Sequence, residues 1–104
     1  MQERAPSREL RARAVAVARA LPDGYLRVRF RDRLYGLSVK RFNDGRSMKL
    51  FAESLDGRDI VSANLYRSAT REHLLPCEMS EAKVVAFLNG FSHVAPLPPE
   101  PSKR

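Results

Sequence analysis

From Tyr25 to Arg31 apolar and polar residues alternate without a fault: Leu26, Val28 and Phe30 are apolar, and Arg27, Arg29 and Arg31 are cationic. A period of two is the period of a β-strand, whose successive side chains point to opposite faces. Leu34–Phe42, Met48–Leu55 and Asp59–Arg67 read as three further strands. Turn-forming residues separate the four: Asp32-Arg33, the cluster Asn43-Asp44-Gly45-Arg46, and Asp56-Gly57. The pattern predicts an antiparallel meander.

The turns fix a register that can be tested for consistency. With Asp32-Arg33 as a two-residue loop, Phe30 faces Tyr35, Val28 faces Leu37 and Leu26 faces Val39. With Asp56-Gly57 as another, Ala52 faces Val61, Leu50 faces Ala63 and Met48 faces Leu65. Both hairpins then put their apolar residues on one face, which the turn assignment did not force.

The period changes at both ends. Ser7 can N-cap a helix in which Leu10, Ala14, Val17 and Leu21 share a stripe, widened by Val15 and Ala18. Residues 12–20 also alternate loosely, but five alanines in that stretch favour the helix. Pro22-Asp23-Gly24 stops it. Ser80 caps a second helix with Val84, Val85, Phe87, Leu88 and Phe91 as its apolar stripe and Gly90 as its C-terminal glycine. A short fifth strand at His73–Leu75, before Pro76, stays open.

The expected fold is α+β: a four-stranded antiparallel meander with an N-terminal and a C-terminal helix, in the order α-β-β-β-β-α. Both helices pack on the apolar sheet face, or one on each face. The expected divisions are a leader over 1–6, one domain over 7–91 and a Pro-rich disordered tail over 92–104.

Composition narrows the class. The chain has 104 residues, 43% of them hydrophobic and 30% charged, which is room for one domain and a small core. A net charge of +7 favours nucleic acid or another anionic partner. Cys77 is the single cysteine, so there is no internal disulfide, and a reducing, cytoplasmic setting is expected. No apolar run is long enough to span a bilayer, and no secretory signal follows Met1. The Arg- and Ala-rich start resembles a transit peptide, against which Glu3 and Glu9 argue.

The same register assigns a second sheet face. Arg27, Arg29, Arg31, Lys40 and Lys49 lie on it, with Tyr25, Phe42, Phe51 and Tyr66 among them. Side chains on one strand face recur every ~6.7 Å, close to the phosphate spacing of a single strand. The expected site is therefore a nucleic-acid-binding face: Arg27, Arg29, Arg31 and Lys40 contact phosphates with Lys49 nearby, and Tyr25 or Tyr66 stacks. The competing reading makes the arginines the charged guard of an edge strand and buries Phe51, Leu55, Ile60 and Tyr66 under the C-terminal helix.

The alternative function is a protein-interaction or self-associating domain. A second copy would add to an edge at residues 59–67 to give a homodimer, or the Pro-rich tail would recruit a partner. Catalysis is not expected. His73 and Cys77 are four apart but lack an orienting group, and two histidines are too few for a His-rich metal site. Glu53, Asp56 and Asp59 read as charged hairpin residues. No cofactor is implied.

The runs Arg41–Ala52 (RFNDGRSMKLFA), Asp59–Tyr66 (DIVSANLY) and Leu75–Met79 (LPCEM) resemble a small bacterial family of uncharacterised domains, over roughly residues 10–91. That resemblance implies a bacterial, cytoplasmic protein and no particular activity. The element order also resembles the double-stranded-RNA-binding domain. The fourth strand departs from it, as does a second helix with only Lys83 in place of a basic cluster. A meander followed by a helix is similar to the integrase arm-binding and plant AP2 domains, which read DNA with a sheet face; fold likeness carries no function.

Overall fold

The computed structural model describes residues 5–94. In chain order the elements are α1 (Arg8–Arg19), β1 (Gly24–Phe30), β2 (Arg33–Phe42), β3 (Ser47–Ser54), β4 (Ile60–Arg67), β5 (Glu72–Pro76), α2 (Glu81–Gly90) and β6 (Ser92–His93). The strands form one antiparallel sheet in the order β5-β4-β3-β2-β1-β6. The expected four-stranded meander is thus corrected to six strands: the meander is present, but each of its edges carries a further strand.

The two added strands have physical causes. In β5, Leu74 turns inward to the core while His73 and Leu75 point outward, so the short run pairs with β4 over Arg67↔Glu72 to Ala63↔Pro76. At the end of α2 the backbone turns extended at Phe91 (φ −77°, ψ 157°). Ser92 and His93 then pair with Arg29 and Val28, and Val94 N–H donates to Arg27 O at 3.2 Å. Those residues fall in the stretch expected to be tail; residues 95–104 and 1–4 lie outside the described residues.

The proposed edges are corrected with them. β4 is an interior strand between β3 and β5, so residues 59–67 offer no free edge for a second copy. β1 is flanked by β2 and, over Val28 and Arg29, by β6. The edge strand β5 ends in Pro76, which has no backbone N–H to donate.

The β3–β4 register is the expected one, with Met48↔Leu65, Leu50↔Ala63 and Ala52↔Val61. The β1–β2 register is not. Val28 faces Tyr35 and Leu26 faces Leu37, because the turn is Arg31-Asp32, one residue earlier than expected. Both turn residues take left-handed backbone (φ 49° and 65°), as the twist of a two-residue hairpin requires. Each partner moves by two residues, so every side chain keeps its face.

α1 and α2 lie together on the apolar face. Ser7 Oγ accepts from Leu10 N–H at 3.1 Å and Ser80 Oγ from Lys83 N–H at 3.1 Å, capping both N-termini. Ala14 and Ala18 of α1 and Val84, Val85, Phe87 and Leu88 of α2 join the inward residues of the sheet in one core. Phe87 is its centre, 1% exposed, with ring centroids of Phe30 and Tyr35 both 5.2 Å away in edge-to-face contact. Gly90 serves that packing and is not a left-handed cap: a Cβ there would meet Phe30 Cε1 at 2.9 Å.

Ion pairs tie the helices to the sheet. Arg11 Nε donates to Glu81 Oε2 at 2.7 Å, joining α1 to α2. Arg19 donates from Nε and Nη2 to the two Glu72 oxygens, both at 2.9 Å, and from Nη1 and Nη2 to Gly45 O and Arg46 O. Arg41 in turn donates to Arg19 O at 2.8 Å and to Asp23 Oδ1 at 2.7 Å. One residue thus joins the end of α1, the β2–β3 turn and edge strand β5.

Those bonds set an acid limit. The Arg19 guanidinium, against some opposition from burial, holds the Glu72 carboxyl below its ordinary range, and Arg67 assists at 3.3 Å. A folded pKa below the unfolded one, ~4.3, contributes stability that is present above that value and lost as pH falls through the folded pKa. The urea midpoint is expected to fall below about pH 4.3, with a shallower fall in Glu72→Gln. Identical acid profiles for the two proteins would remove Glu72 from the account.

Candidate functional site

Among the described residues no element covers the other face of the sheet. It carries seven of the chain's large exposed hydrophobic side chains, among them Tyr25 (62% exposed), Tyr66 (46%), Phe42 (45%) and Phe51 (39%). The reading that buried Phe51, Leu55, Ile60 and Tyr66 under the C-terminal helix is corrected: α2 lies on the opposite face.

The register arranges this face in bands across the strands. Phe42, Ser47, Tyr66 and His73 form the first, and the Tyr66 and His73 rings stack with centroids 6.0 Å apart. Lys40, Lys49, Asn64 and Leu75 form the second. Tyr25, Ser38, Phe51 and Ser62 form the third, and Arg27, Gly36, Glu53 and Ile60 the fourth. Arg29 lies beyond these on β1. Aromatic, cationic, aromatic and mixed bands therefore succeed one another at ~6.7 Å intervals.

Gly36 has a local purpose. The phenol end of Tyr25 occupies the space a Cβ at position 36 would need. The glycine thus lets the Tyr25 ring lie against the sheet, an aromatic covering an otherwise bare stretch of strand. Tyr25, Ser38 and Phe51 border a shallow depression of about 320 Å³ on this face.

The charges divide by face. Asp23, Asp56, Asp59, Glu72 and Glu81 are all engaged by Arg or Lys elsewhere in the molecule. On the uncovered face Arg27, Arg29, Lys40 and Lys49 have no ion-pair partner among the described residues, and Glu53 is the one carboxylate in the bands. Lys40 and Lys49 are direct cross-strand neighbours, a like-charge pair that works against the sheet.

Of the expected site residues, Tyr25, Arg27, Arg29, Lys40, Lys49 and Tyr66 share this face. Arg31 does not continue the row. It is a turn residue whose guanidinium sits 4.8 Å from the Phe30 ring centroid, at the hairpin end of the sheet. The face is accordingly an aromatic and apolar surface with cations set in it rather than an arginine row. Sequence reasoning did not include Phe51 and Phe42 among the binding residues, although strand parity already placed both on this face.

The catalytic candidates are occupied structurally. Cys77 Sγ accepts from Asn64 Nδ2 at 3.6 Å, and His73 packs on Tyr66. Glu53, Asp56 and Asp59 point to different surroundings: Asp56 accepts from Ser54 Oγ at 2.6 Å, and Asp59 pairs with Lys83 at 2.7 Å. Among the described residues no group of three or more His, Cys, Asp or Glu side chains is placed to hold a metal ion, and no helix is long and apolar enough to cross a membrane.

The fold and face define an α+β protein with a six-stranded antiparallel sheet, layered by helices on one side and, among the described residues, bare on the other. Comparison with family models, with curated proteins and with solved structures finds no match to this chain.

Proposed function

We propose that this protein is a single-stranded nucleic-acid-binding module that uses the uncovered sheet face. The observation that supports it is the banding: exposed rings of Phe42 and Tyr66, then unpaired Lys40 and Lys49, then exposed rings of Tyr25 and Phe51. Bases stack on aromatic faces with little regard to sequence, and phosphates seek the cations between them. Arg27 and Arg29 extend the cationic track along β1, with planar guanidinium forks suited to phosphate oxygens.

The charge balance weighs against a second copy on this face. Two such faces packed together would bring Arg27, Arg29, Lys40 and Lys49 against their own copies with only Glu53 to offset them. An anionic polymer relieves the Lys40–Lys49 repulsion that another copy would intensify.

The test is fluorescence anisotropy of a labelled mixed-sequence single-stranded oligonucleotide across a salt series. With four phosphate contacts, log K should fall against log salt with a slope near about −3, from roughly −0.7 per contact. A duplex of the same sequence should bind more weakly, because its bases are not free to stack. No binding at low salt, or equal binding of duplex with no effect of ring removal, would overturn the reading.

A further inference from the structure

The β1–β2 turn carries a separate feature, on the helix side of the sheet. Phe30, Arg31, Arg33, Tyr35, Asp59 and Lys83 line a pocket of about 400 Å³ there. Three cations face one carboxylate, and that carboxylate is already engaged on both oxygens. Tyr35 Oη donates to Asp59 Oδ2 at 2.6 Å, and Lys83 Nζ donates to Oδ1 at 2.7 Å.

The arginines are left with little. Arg33 Nε lies 3.8 Å from Asp56 Oδ2, across partly exposed surface. Arg31 has no carboxylate partner among the described residues and rests over the Phe30 ring. With Asp59 balancing Lys83 and Asp56 only loosely paired to Arg33 at 3.8 Å, the pocket retains the unpaired guanidinium of Arg31 beside the weakly held one of Arg33.

Backbone geometry gives an independent indication. Arg31 has φ 49° in a two-residue turn whose positions favour Asn, Asp or Gly. A side chain held in left-handed backbone is retained where the surroundings use it, and such positions concentrate at ligand sites. An asparagine or glycine would make the turn more readily and would empty the pocket mouth of its cation.

We propose that this pocket binds the phosphate group of a small phosphomonoester, with Arg31 and Arg33 gripping the dianion and Lys83 facing it from α2. Each guanidinium presents a planar fork to phosphate oxygens, and the ammonium has two donors left beyond its bond to Asp59. Phe30 and Ala86 supply an apolar wall for the organic part of the ester. Burial, then the bond to Asp59, raises the Tyr35 phenol to about 12, so it remains a donor that keeps Asp59 engaged at neutral pH. Burial also pushes the Asp59 carboxyl up, but the bonds from Lys83 and Tyr35 outweigh it, and the group stays an anion paired to Lys83.

The site is independent of the uncovered face, so the two readings fail separately. The experiment is an amide chemical-shift titration of the full chain with phenyl phosphate and, in parallel, with inorganic phosphate, at constant ionic strength. Saturable shifts confined to residues 30–35, 59 and 83–86 are expected, with phenyl phosphate the tighter ligand. Arg31→Gln with Arg33→Gln should weaken binding by about tenfold or more, the scale of a lost charge-assisted bond. Arg31→Gly is the sharper variant: it should raise the thermal midpoint by relieving the turn while weakening phosphate binding. Shifts that stay linear, that spread over the uncovered face, or that persist with unchanged affinity in both variants would overturn the proposal.

Discussion

Phe87→Ala is expected to lower the unfolding free energy by about 3–5 kcal/mol, the range for truncating a fully buried aromatic. Phe87 is 1% exposed and touches three other rings: Phe30 and Tyr35 edge-to-face, and Phe91 with centroids 5.4 Å apart. Its neighbours cannot close the space easily, because Phe30 and Tyr35 are fixed by adjoining strands and Phe91 by the end of α2. Single domains of this size hold about 5–15 kcal/mol in all, so the loss would be a large fraction of the total. Urea denaturation followed by circular dichroism should show a lower midpoint with an unchanged slope. Phe51→Ala, on the uncovered face, should cost less than about 1 kcal/mol. Similar losses for the two would contradict the placement of both helices on one side.

The second large effect concerns binding. Tyr25→Ala combined with Phe51→Ala should weaken single-stranded oligonucleotide binding by about 2–6 kcal/mol, from ~1–3 per stacked base. The salt slope should not move, since no phosphate contact is lost. Lys40→Gln with Lys49→Gln should do the opposite: a modest loss of affinity and a slope shallower by about 1.4. It should also raise stability slightly by removing a repelling cross-strand pair. Anisotropy across the same salt series separates the two effects. A double ring variant that binds as tightly as the parent would remove stacking from the mechanism.

Strand parity was the most legible property of the chain. Alternation from Tyr25 to Phe30 and the Asp56-Gly57 turn placed the inward and outward residues of four strands. A two-residue error in the β1–β2 register left that assignment intact, because two is the side-chain period. The turn itself was hidden because arginine gives no sign that it will adopt a left-handed backbone. β6 was hidden because two residues cannot show a period. The placement of both helices on one face depended on their apolar residues joining the sheet core, and the long-range pairs Arg11 with Glu81 and Arg19 with Glu72 accompany it; local pattern announces neither. For the site, parity found the cations and rings of the uncovered face but extended the row one residue too far, into Arg31. The grouping of Tyr35, Asp59 and Lys83 required the sheet and α2 to be assembled first.

The pairing of β6 with β1 has a kinetic implication. Every other strand pair joins sequence neighbours through a short connection, whereas between Val28 and His93 lie β2, β3, β4, β5 and α2. Closing so long a loop carries a larger entropy cost than closing a hairpin. The hairpins are therefore expected to nucleate the sheet, with the β1–β6 seam zipping last and opening first in sub-global fluctuations. Hydrogen–deuterium exchange would report this as a weakly protected Val94 amide beside well-protected amides in the β2–β3 ladder.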